Sequence, residues 1–295
     1  MSPSVLLLGP GFIGGEIIDL LLTTNYQVTT LVRRESAVAD YANLGVIPVV
    51  GNLDDASVII NQVAKSDIVI HTATADHLPS VEAIINGIRQ RAARGLKTIY
   101  IHNSGATLIS DTADGEYKSE TVYDDEHPEQ IDALPGFASH RRIDLAIIRA
   151  RLELNPHAKI AIMIPPLIYG MTTRESRLSI QLPTLIRYSI KHGYAGQLGK
   201  GLSVWNQIHV KDLARGQELS WGECAAEIGR ILKNAGRIEQ SDPQSIPKDH
   251  WASRLRKMGW EPSEKDTFAS LAEDEVQLIL EETEEFNGYA SVVAS

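Results

Sequence analysis

Short apolar runs recur along the first third of the chain and alternate with longer segments of mixed polarity. The longer segments carry apolar residues at helical spacing, whereas the runs have the length and the β-branched content of buried strands. The runs are Val5–Leu8, Gln27–Val32, Val46–Val50, Asp67–His71 and Lys97–Ile101. Regular alternation of strand and helix predicts right-handed crossovers and a parallel sheet, which is a doubly wound α/β fold.

The first apolar run leads directly into glycines spaced Gly9-x-Gly11-x-x-Gly14, followed by a helix predicted over residues 12–24. In a Rossmann domain these glycines permit a tight turn, a close backbone approach to a pyrophosphate, and close packing of the helix on the strand. The pyrophosphate then lies at the positive end of the helix. The same spacing also arises in ordinary turns, but the strand and helix around it favour dinucleotide binding. We assign the phosphate loop to Gly9, Gly11, Phe12, Ile13 and Gly14.

The end of the second strand bears on the choice of cofactor. An acidic residue there accepts hydrogen bonds from a ribose 2′-hydroxyl, whereas an arginine accommodates a 2′-phosphate. This strand ends in Arg33 and Arg34, with Glu35 next in the chain. We therefore predict NADP rather than NAD. The alternative is that both arginines are solvated loop charges and that NAD is bound.

Small and polar side chains follow the third and fourth strands. Ligands bind beyond the carboxyl ends of the strands in such sheets, so Asn52 and Leu53 are candidate contacts to the adenine. Asp54 contacts the cofactor, caps the next helix, or does both. Thr72 and Ala73 have small side chains that let a cofactor lie against the backbone.

The loop after the fourth strand also holds polar groups. His71, at the end of the strand, is expected to be a hydrogen-bonded core residue. Asp76 and His77 are better placed to face a substrate, although a helix cap explains Asp76 equally well.

Composition limits the functional classes. The 295 residues carry a formal net charge of −10, which argues against nucleic-acid binding. The first strand begins at Val5 and no run of about 18 apolar residues is present, so we expect a cytoplasmic protein without a leader or a membrane span. One cysteine, Cys224, permits neither an internal disulfide nor a cysteine metal cluster, and we assign no metal site.

Several motifs occur together in a characteristic order along nearly the whole chain. The motifs are Gly9–Gly14, Gly51–Asp55, the turn at Ser104, Pro165–Gly170 and His209–Ala214. With these motifs the sequence resembles the extended short-chain dehydrogenase/reductase superfamily, of the NAD-dependent epimerase/dehydratase type, and within it the atypical NmrA-like fungal proteins.

The resemblance implies roles for individual residues. Ser104 matches the serine or threonine that hydrogen-bonds a substrate oxygen, and Pro165 is placed among the cofactor contacts. Tyr169 and Gly170 match the turn after the sixth strand. His209 and Asp212 match a late motif that fixes the substrate lobe, and the family often pairs through a helical face, which makes a homodimer a candidate assembly.

The superfamily's catalytic Tyr-x-x-x-Lys pair is missing from this chain. The corresponding helix, predicted over residues 137–144, places His140 and Asp144 where the tyrosine and lysine would stand. A histidine and an aspartate one turn apart can form an acid/base couple. The alternatives are a surface pair, or a phenol delivered by Tyr117 or Tyr123 from the irregular loop 111–136.

The chain is expected to divide into an NAD(P)-binding Rossmann domain over residues 1–170 and a smaller substrate lobe with C-terminal helices over 171–295. The two parts interleave into one structural unit. The connection near 214–220 is short, as if a helix and a strand were missing through a deletion or a gene-model error. Candidate substrate contacts in the lobe are Arg174, Arg177, Tyr194 and Trp205.

Three functions remain open at this point. The leading one is an NADP-dependent oxidoreductase acting on a carbonyl or alcohol of a small metabolite, with Ser104, His140 and Asp144 as catalytic residues. The second is an inactive NmrA-like protein that senses the dinucleotide and binds a partner. The third is a nucleotide-sugar epimerase or dehydratase, which normally relies on the missing tyrosine.

Overall fold

The computed structural model describes residues 2–125, 127–212, 218–220, 230–237 and 264–282, with backbone alone at 218–220. The chain divides into two compact units. The first comprises Met1–Ile109 and Leu134–Ile164, and the second comprises Ser110–Ala133 and Pro165–Ser295. Each unit has its own sheet; in the described residues the first unit holds two apolar clusters and the second unit one.

The first unit is built on a parallel sheet of six strands in the order β3-β2-β1-β4-β5-β6. The strands are β1 Ser4–Leu8, β2 Gln27–Val32, β3 Ile47–Val50, β4 Ile68–His71, β5 Thr98–Asn103 and β6 Ala158–Met163. The order reverses between β1 and β4, so the crevice where ligands bind in such sheets opens at the carboxyl ends of these two strands. The doubly wound Rossmann prediction is confirmed.

Helices connect these strands on both faces of the sheet. They are α1 Phe12–Leu22, α2 Val38–Asn43 after a 3-10 turn at Glu35–Ala37, α3 Ala56–Val63, α4 Leu78–Ala93 and α5 Arg141–Glu153. Alternate residues of β1 serve the two faces: Leu6 and Leu8 pack in one apolar cluster, and Val5 and Leu7 in the other. Burial on both faces explains why residues 5–8 of β1 are all apolar instead of alternating with polar residues.

The second unit contains β7 Leu167–Tyr169, β8 Val204–His209 and β9 Glu218–Ser220. The middle strand β8 pairs with β7 in parallel and with β9 in antiparallel fashion. A helix, α6 Gln181–His192, and helical residues from Thr267 to Leu280 pack on this sheet through an apolar cluster. One turn of helix, Pro128–Asp132, lies within the loop that was predicted to be irregular.

One predicted helix boundary is wrong, and two other predictions concern residues that the structure does not describe. The helix predicted over 137–144 begins only at Arg141, because His140 adopts a left-handed backbone with φ 63°. Cys224 and most of the short connection near 214–220 lie outside the described residues. Among the helices that are described, none is long and apolar enough to cross a membrane.

Candidate functional site

The glycine loop is closely packed against the segment that follows β4. Gly9 has φ 95°, and a Cβ on it would lie 2.4 Å from the Ala73 Cα. A Cβ on Gly14 would lie 2.0 Å from the Gly9 carbonyl oxygen and 2.8 Å from Thr72 Oγ1. Neither position can carry a side chain without moving backbone, so the sequence pattern reflects a loop that requires glycine.

Thr72 ties the loop to the strand beside it. Its Oγ1 donates to the Gly9 carbonyl at 2.8 Å, and its backbone N–H donates to the Leu8 carbonyl at 2.8 Å. Gly11 is the N-cap of α1, and Phe12 and Ile13 open the helix without an acidic residue in the first turn. A helix N-terminus of this kind, without a carboxylate to repel an anion, suits a pyrophosphate.

The two arginines after β2 are exposed and lie at the carboxyl edge of the sheet. Neither the Arg33 nor the Arg34 guanidinium group makes a hydrogen bond or ion pair with another residue in the described part of the chain. Two guanidinium groups in this position are open to an anionic ligand, and a 2′-phosphate has the charge and the acceptor oxygens for them.

The turn after β3 differs in detail from the prediction. Asn52 Oδ1 accepts the Asp54 N–H at 2.7 Å, and Asp55 Oδ2 accepts the Asn52 N–H at 2.7 Å. Asp55 occupies the N-cap position of α3, so Asp54 does not cap that helix. Asp54 instead pairs with His77 Nε2 at 3.2 Å. Leu53 is half-buried beside it, at the edge where an adenine contact was predicted.

A second group of polar residues gathers beyond the ends of β4 and β5. Ser104 is 3% exposed, and its Oγ donates to Asp144 Oδ2 at 3.0 Å. Burial raises the pKa of the Asp144 carboxyl, while the Ser104 hydrogen bond and the nearby His140 and Arg141 oppose the shift. The Ser104 hydroxyl and the Asp144 carboxyl thus form a buried hydrogen-bonded pair.

His140 lies one residue before α5, and its ring is held at both nitrogens. Nδ1 lies 2.6 Å from Asp76 Oδ1, and Nε2 lies 2.5 Å from Thr107 Oγ1. The expected couple of His140 with Asp144 is therefore wrong, since each of the two has another partner. His140 precedes the helix with a left-handed backbone, whereas Asp144 lies within its first turn.

The predicted alternative for Asp76, a helix cap, is also wrong. His77 is the N-cap of α4, and its Nδ1 accepts the Ser80 N–H at 3.2 Å. Asp76 is left to bind His140. The polar residues after β4, after β5 and before α5 thus converge through Asp76, Thr107 and His140.

The sequence reasoning missed both partners of His140. The available signal was topological: in the doubly wound order β4 and β5 are neighbours, so the loops after them meet at one edge of the sheet. Asp76 follows β4 and Thr107 follows β5. Only the position of His140 at the start of α5 brings the ring between them.

A buried imidazole pair lies in the two strands below this loop cluster. His71 and His102 are register partners, both fully buried, with Nδ1 atoms 3.1 Å apart. Burial lowers the pKa of His71 to about 3 and that of His102 to about 4. Tyr100 adds a contact of 3.3 Å to His102 Nδ1. His71 is a hydrogen-bonded core residue, as expected.

Residues that the resemblance assigned to the late motifs hold the second unit together. A Cβ on Gly170 would lie 2.2 Å from His209 Nε2, and the His209 ring packs edge-on against Tyr169. Asp212 Oδ2 accepts the Glu264 N–H at 2.9 Å. Burial raises the pKa of Tyr169 to about 12. These contacts fix a core and do not by themselves form a reactive group.

The other residues predicted in the second unit are more dispersed. Pro165 is half-buried and begins the second segment of that unit. Tyr194 shares a hydrogen bond of 2.7 Å with Tyr188, and Arg177 pairs with Glu175 at 3.1 Å. No group of three or more histidine, cysteine or acidic residues suited to a metal ion occurs in the described ranges.

Comparison with known proteins agrees with the fold and with the loop geometry. Residues 9–130 match a family model described as NAD(P)H-binding. The oxidase ucsJ of an Acremonium species is 30% identical over 217 residues, which cover 69% of this chain and 61% of that protein. The chain thus spans less than two thirds of this relative's length.

Two solved structures share the fold at low sequence identity. Gre2 of Candida albicans, in complex with NADPH, has a TM-score of 0.65 at 14% identity and covers 94% of this chain and 98% of its own. The Bordetella bronchiseptica enzyme WbmH, in complex with NAD+, has a TM-score of 0.59 at 14% identity and covers 95% of this chain and 99% of its own. Proteins of this fold therefore bind either dinucleotide.

Proposed function

Because the chain carries an NAD(P)-binding domain of the NAD-dependent epimerase/dehydratase type, within the short-chain dehydrogenase/reductase superfamily, we propose that it is an NADP-dependent oxidoreductase. Its reaction is the reduction of a carbonyl group, or the oxidation of an alcohol, in a small metabolite. The bound cofactor supplies or accepts the hydride.

The observation that carries this proposal is the convergence of the loop after β5 with the start of α5. Ser104 bonds Asp144, and His140 bonds Thr107 three residues further along the same loop. A chain that only bound the cofactor would have no need to bring an imidazole, a carboxyl and two hydroxyls together in the absence of the usual tyrosine. These are the groups that proton transfer to an oxygen requires.

Each residue has a chemical task in this mechanism. His140 in its charged form holds the proton that the substrate oxygen receives as hydride reaches the carbonyl carbon. Ser104 orients that oxygen through its hydroxyl. Asp144, which accepts from Ser104 Oγ at 3.0 Å, fixes the position of that hydroxyl.

The preference for NADP rests on charge at the end of β2. Arg33 and Arg34 are exposed guanidinium groups, and no carboxylate stands at Arg33's position to bind a ribose hydroxyl. A charge-assisted contact to a 2′-phosphate contributes about 1.5–3 kcal/mol, which corresponds to about one to two decades in affinity.

A turnover screen with NADPH and a panel of aldehydes and ketones tests the proposal. We expect NADPH oxidation above background with at least one substrate, and a fall of about 100-fold in kcat in Ser104→Ala. Ser57→Ala, an exposed serine on α3, is the matched control and should retain wild-type turnover.

The assignment as an enzyme is wrong if no substrate gives turnover and Ser104→Ala is indistinguishable from wild type in every assay. The missing Tyr-x-x-x-Lys favours one alternative in that case, a dinucleotide-sensing regulator. That alternative requires a protein partner whose binding depends on the NADP to NADPH ratio, measured by pull-down with each form present.

A further inference from the structure

The backbone of His140 carries strain that its local role does not explain. With φ 63° it is one of three non-glycine residues of positive φ in the described part of the chain. A left-handed residue with a Cβ costs about 1–2 kcal/mol. Although His140 is the N-cap of α5, its side chain makes no capping hydrogen bond. Strain of this kind is commonly retained where a side chain has to be aimed at a functional site.

The ring of His140 is 15% exposed and lies between an acceptor and a hydroxyl. A carboxylate oxygen only accepts hydrogen bonds, so the contact with Asp76 places a proton on Nδ1. In the neutral ring the lone pair is then on Nε2, which faces Thr107 Oγ1. In the charged ring both nitrogens donate, to Asp76 on one side and to Thr107 on the other.

Stability does not account for this arrangement. The Asp76 side chain is 67% exposed, and an ion pair with so much solvent around one partner contributes about 0–1 kcal/mol to folding. Thr107 is also exposed, on the 3-10 turn Ala106–Ile109 that follows β5. The Thr107 hydroxyl therefore lies at the surface of the loops, hydrogen-bonded to the His140 imidazole, which in turn contacts the Asp76 carboxylate.

We propose that Asp76, His140 and Thr107 form a proton relay for the oxidoreductase reaction, in which Asp76 is a positioning residue and Thr107 delivers the proton. The inference rests on the proposed function. In the reductive direction the carbonyl carbon receives the hydride and the carbonyl π pair moves to the oxygen. That oxygen takes the hydroxyl proton of Thr107, and Thr107 Oγ1 takes the Nε2 proton of charged His140.

The step leaves a secondary or primary alcohol, the oxidised cofactor and a neutral His140 whose Nδ1 proton stays on the hydrogen bond to Asp76. Solvent returns the spent proton to Nε2. Oxidation of an alcohol runs the same transfers in reverse, with neutral His140 as the base. The relay occupies the role that a tyrosine phenol has elsewhere in the superfamily, with an imidazole as the proton reservoir.

Asp76→Asn and Thr107→Val test the two ends of the relay. An asparagine amide can donate to Nδ1, so the neutral ring of Asp76→Asn should move its proton to Nε2. We expect kcat to fall about 100-fold in each variant with KM changed less than about threefold, because binding is retained while proton transfer is lost. Thr107→Ser keeps the hydroxyl and should keep kcat within about threefold of wild type.

The ¹⁵N chemical shifts of the His140 ring report its tautomer directly, and this measurement requires no substrate. Glu129→Gln is the matched control, since Glu129 forms an exposed pair with His127 at 3.2 Å outside the relay. It should leave both turnover and the His140 ring unchanged.

Any one of three results would overturn the relay. The first is a wild-type His140 ring that is protonated on Nε2 alone. The second is an Asp76→Asn variant whose His140 tautomer and kcat equal those of wild type, and the third is a Thr107→Val variant as active as Thr107→Ser. Absence of turnover in wild type refutes the proposed function and the relay reaction with it. In that case the ¹⁵N measurement still decides whether Asp76 positions the ring, so the two failures are distinguishable.

Discussion

Substituting the two neighbouring glycines of α1 separates helix propensity from steric fit in the phosphate loop. Both Gly14 and Gly15 are helical, so an alanine at either gains about 1 kcal/mol of helix propensity. A Cβ at Gly15 meets nothing within 4 Å, whereas one at Gly14 lies 2.0 Å from the Gly9 carbonyl oxygen. The difference between the variants therefore isolates the clash.

The size of the clash follows from the contact distance. An ordinary carbon–oxygen contact is about 3.3 Å, so the Gly9 carbonyl or α1 has to move by about 1.3 Å in Gly14→Ala. Overpacking of this kind costs about 1–3 kcal/mol. We expect Gly15→Ala to be more stable than wild type by about 1 kcal/mol and Gly14→Ala to be less stable than Gly15→Ala by about 1–3 kcal/mol.

Urea unfolding followed by circular dichroism measures the stability of both variants, and fluorescence titration with NADPH measures their cofactor affinity. Displacement of the Gly9 carbonyl moves the loop that receives the pyrophosphate, so Gly14→Ala should bind NADPH at least about tenfold more weakly, a loss of about 1.4 kcal/mol. Gly15→Ala should bind within about threefold of wild type. Equal stability and equal affinity in the two variants would refute the close-packing argument and the assignment of this loop.

Two further predictions concern charge. Arg33→Asp should weaken NADP binding by at least about tenfold, because a cation is lost and a repulsive charge is added, and it should leave NAD binding similar or stronger. Calorimetric titration with both cofactors measures the two affinities. A wild-type preference for NAD would contradict this prediction. The folded-state pKa of His71 lies below its unfolded value of about 6.5, so its contribution to stability is present above that pH and is lost as the pH falls toward about 3. Between pH 7 and 5 the stability difference between wild type and His71→Leu should therefore shift against wild type by about 2 kcal/mol in urea unfolding, and a flat difference would refute the burial of His71 as a neutral base.

Much of the first unit could be predicted from local sequence because its signals are local. The strand β2 has the predicted bounds. The strands β1, β3 and β4 differ from prediction by one residue at the start, and β5 differs by one residue at its start and two at its end. Continuous apolar runs indicate strands buried on both faces, and parallel connection of such strands leaves few arrangements. The glycine spacing could also be recognised from the sequence, because a Cβ at Gly9 or Gly14 would clash with nearby backbone atoms and both positions therefore require glycine.

Local signals failed where a side chain chooses among several partners. Asp54 and Asp76 both precede helices, which is the ordinary position of a cap, but Asp55 and His77 occupy the N-cap positions. A shift of one residue along the chain decides which side chain faces the helix. Sequence patterns place helix boundaries less finely than that.

The sequence by itself determined the doubly wound sheet, the phosphate loop and the presence of polar residues at its carboxyl edge, because apolar periodicity and glycine spacing act over a few neighbouring residues. Only the tertiary structure decided which of those polar residues meet. His140 binds Asp76 across 64 positions of sequence and Thr107 across 33, in place of Asp144 four positions away. A left-handed turn before α5 and the adjacency of β4 and β5 bring these three side chains together, and neither leaves a periodic trace in the sequence.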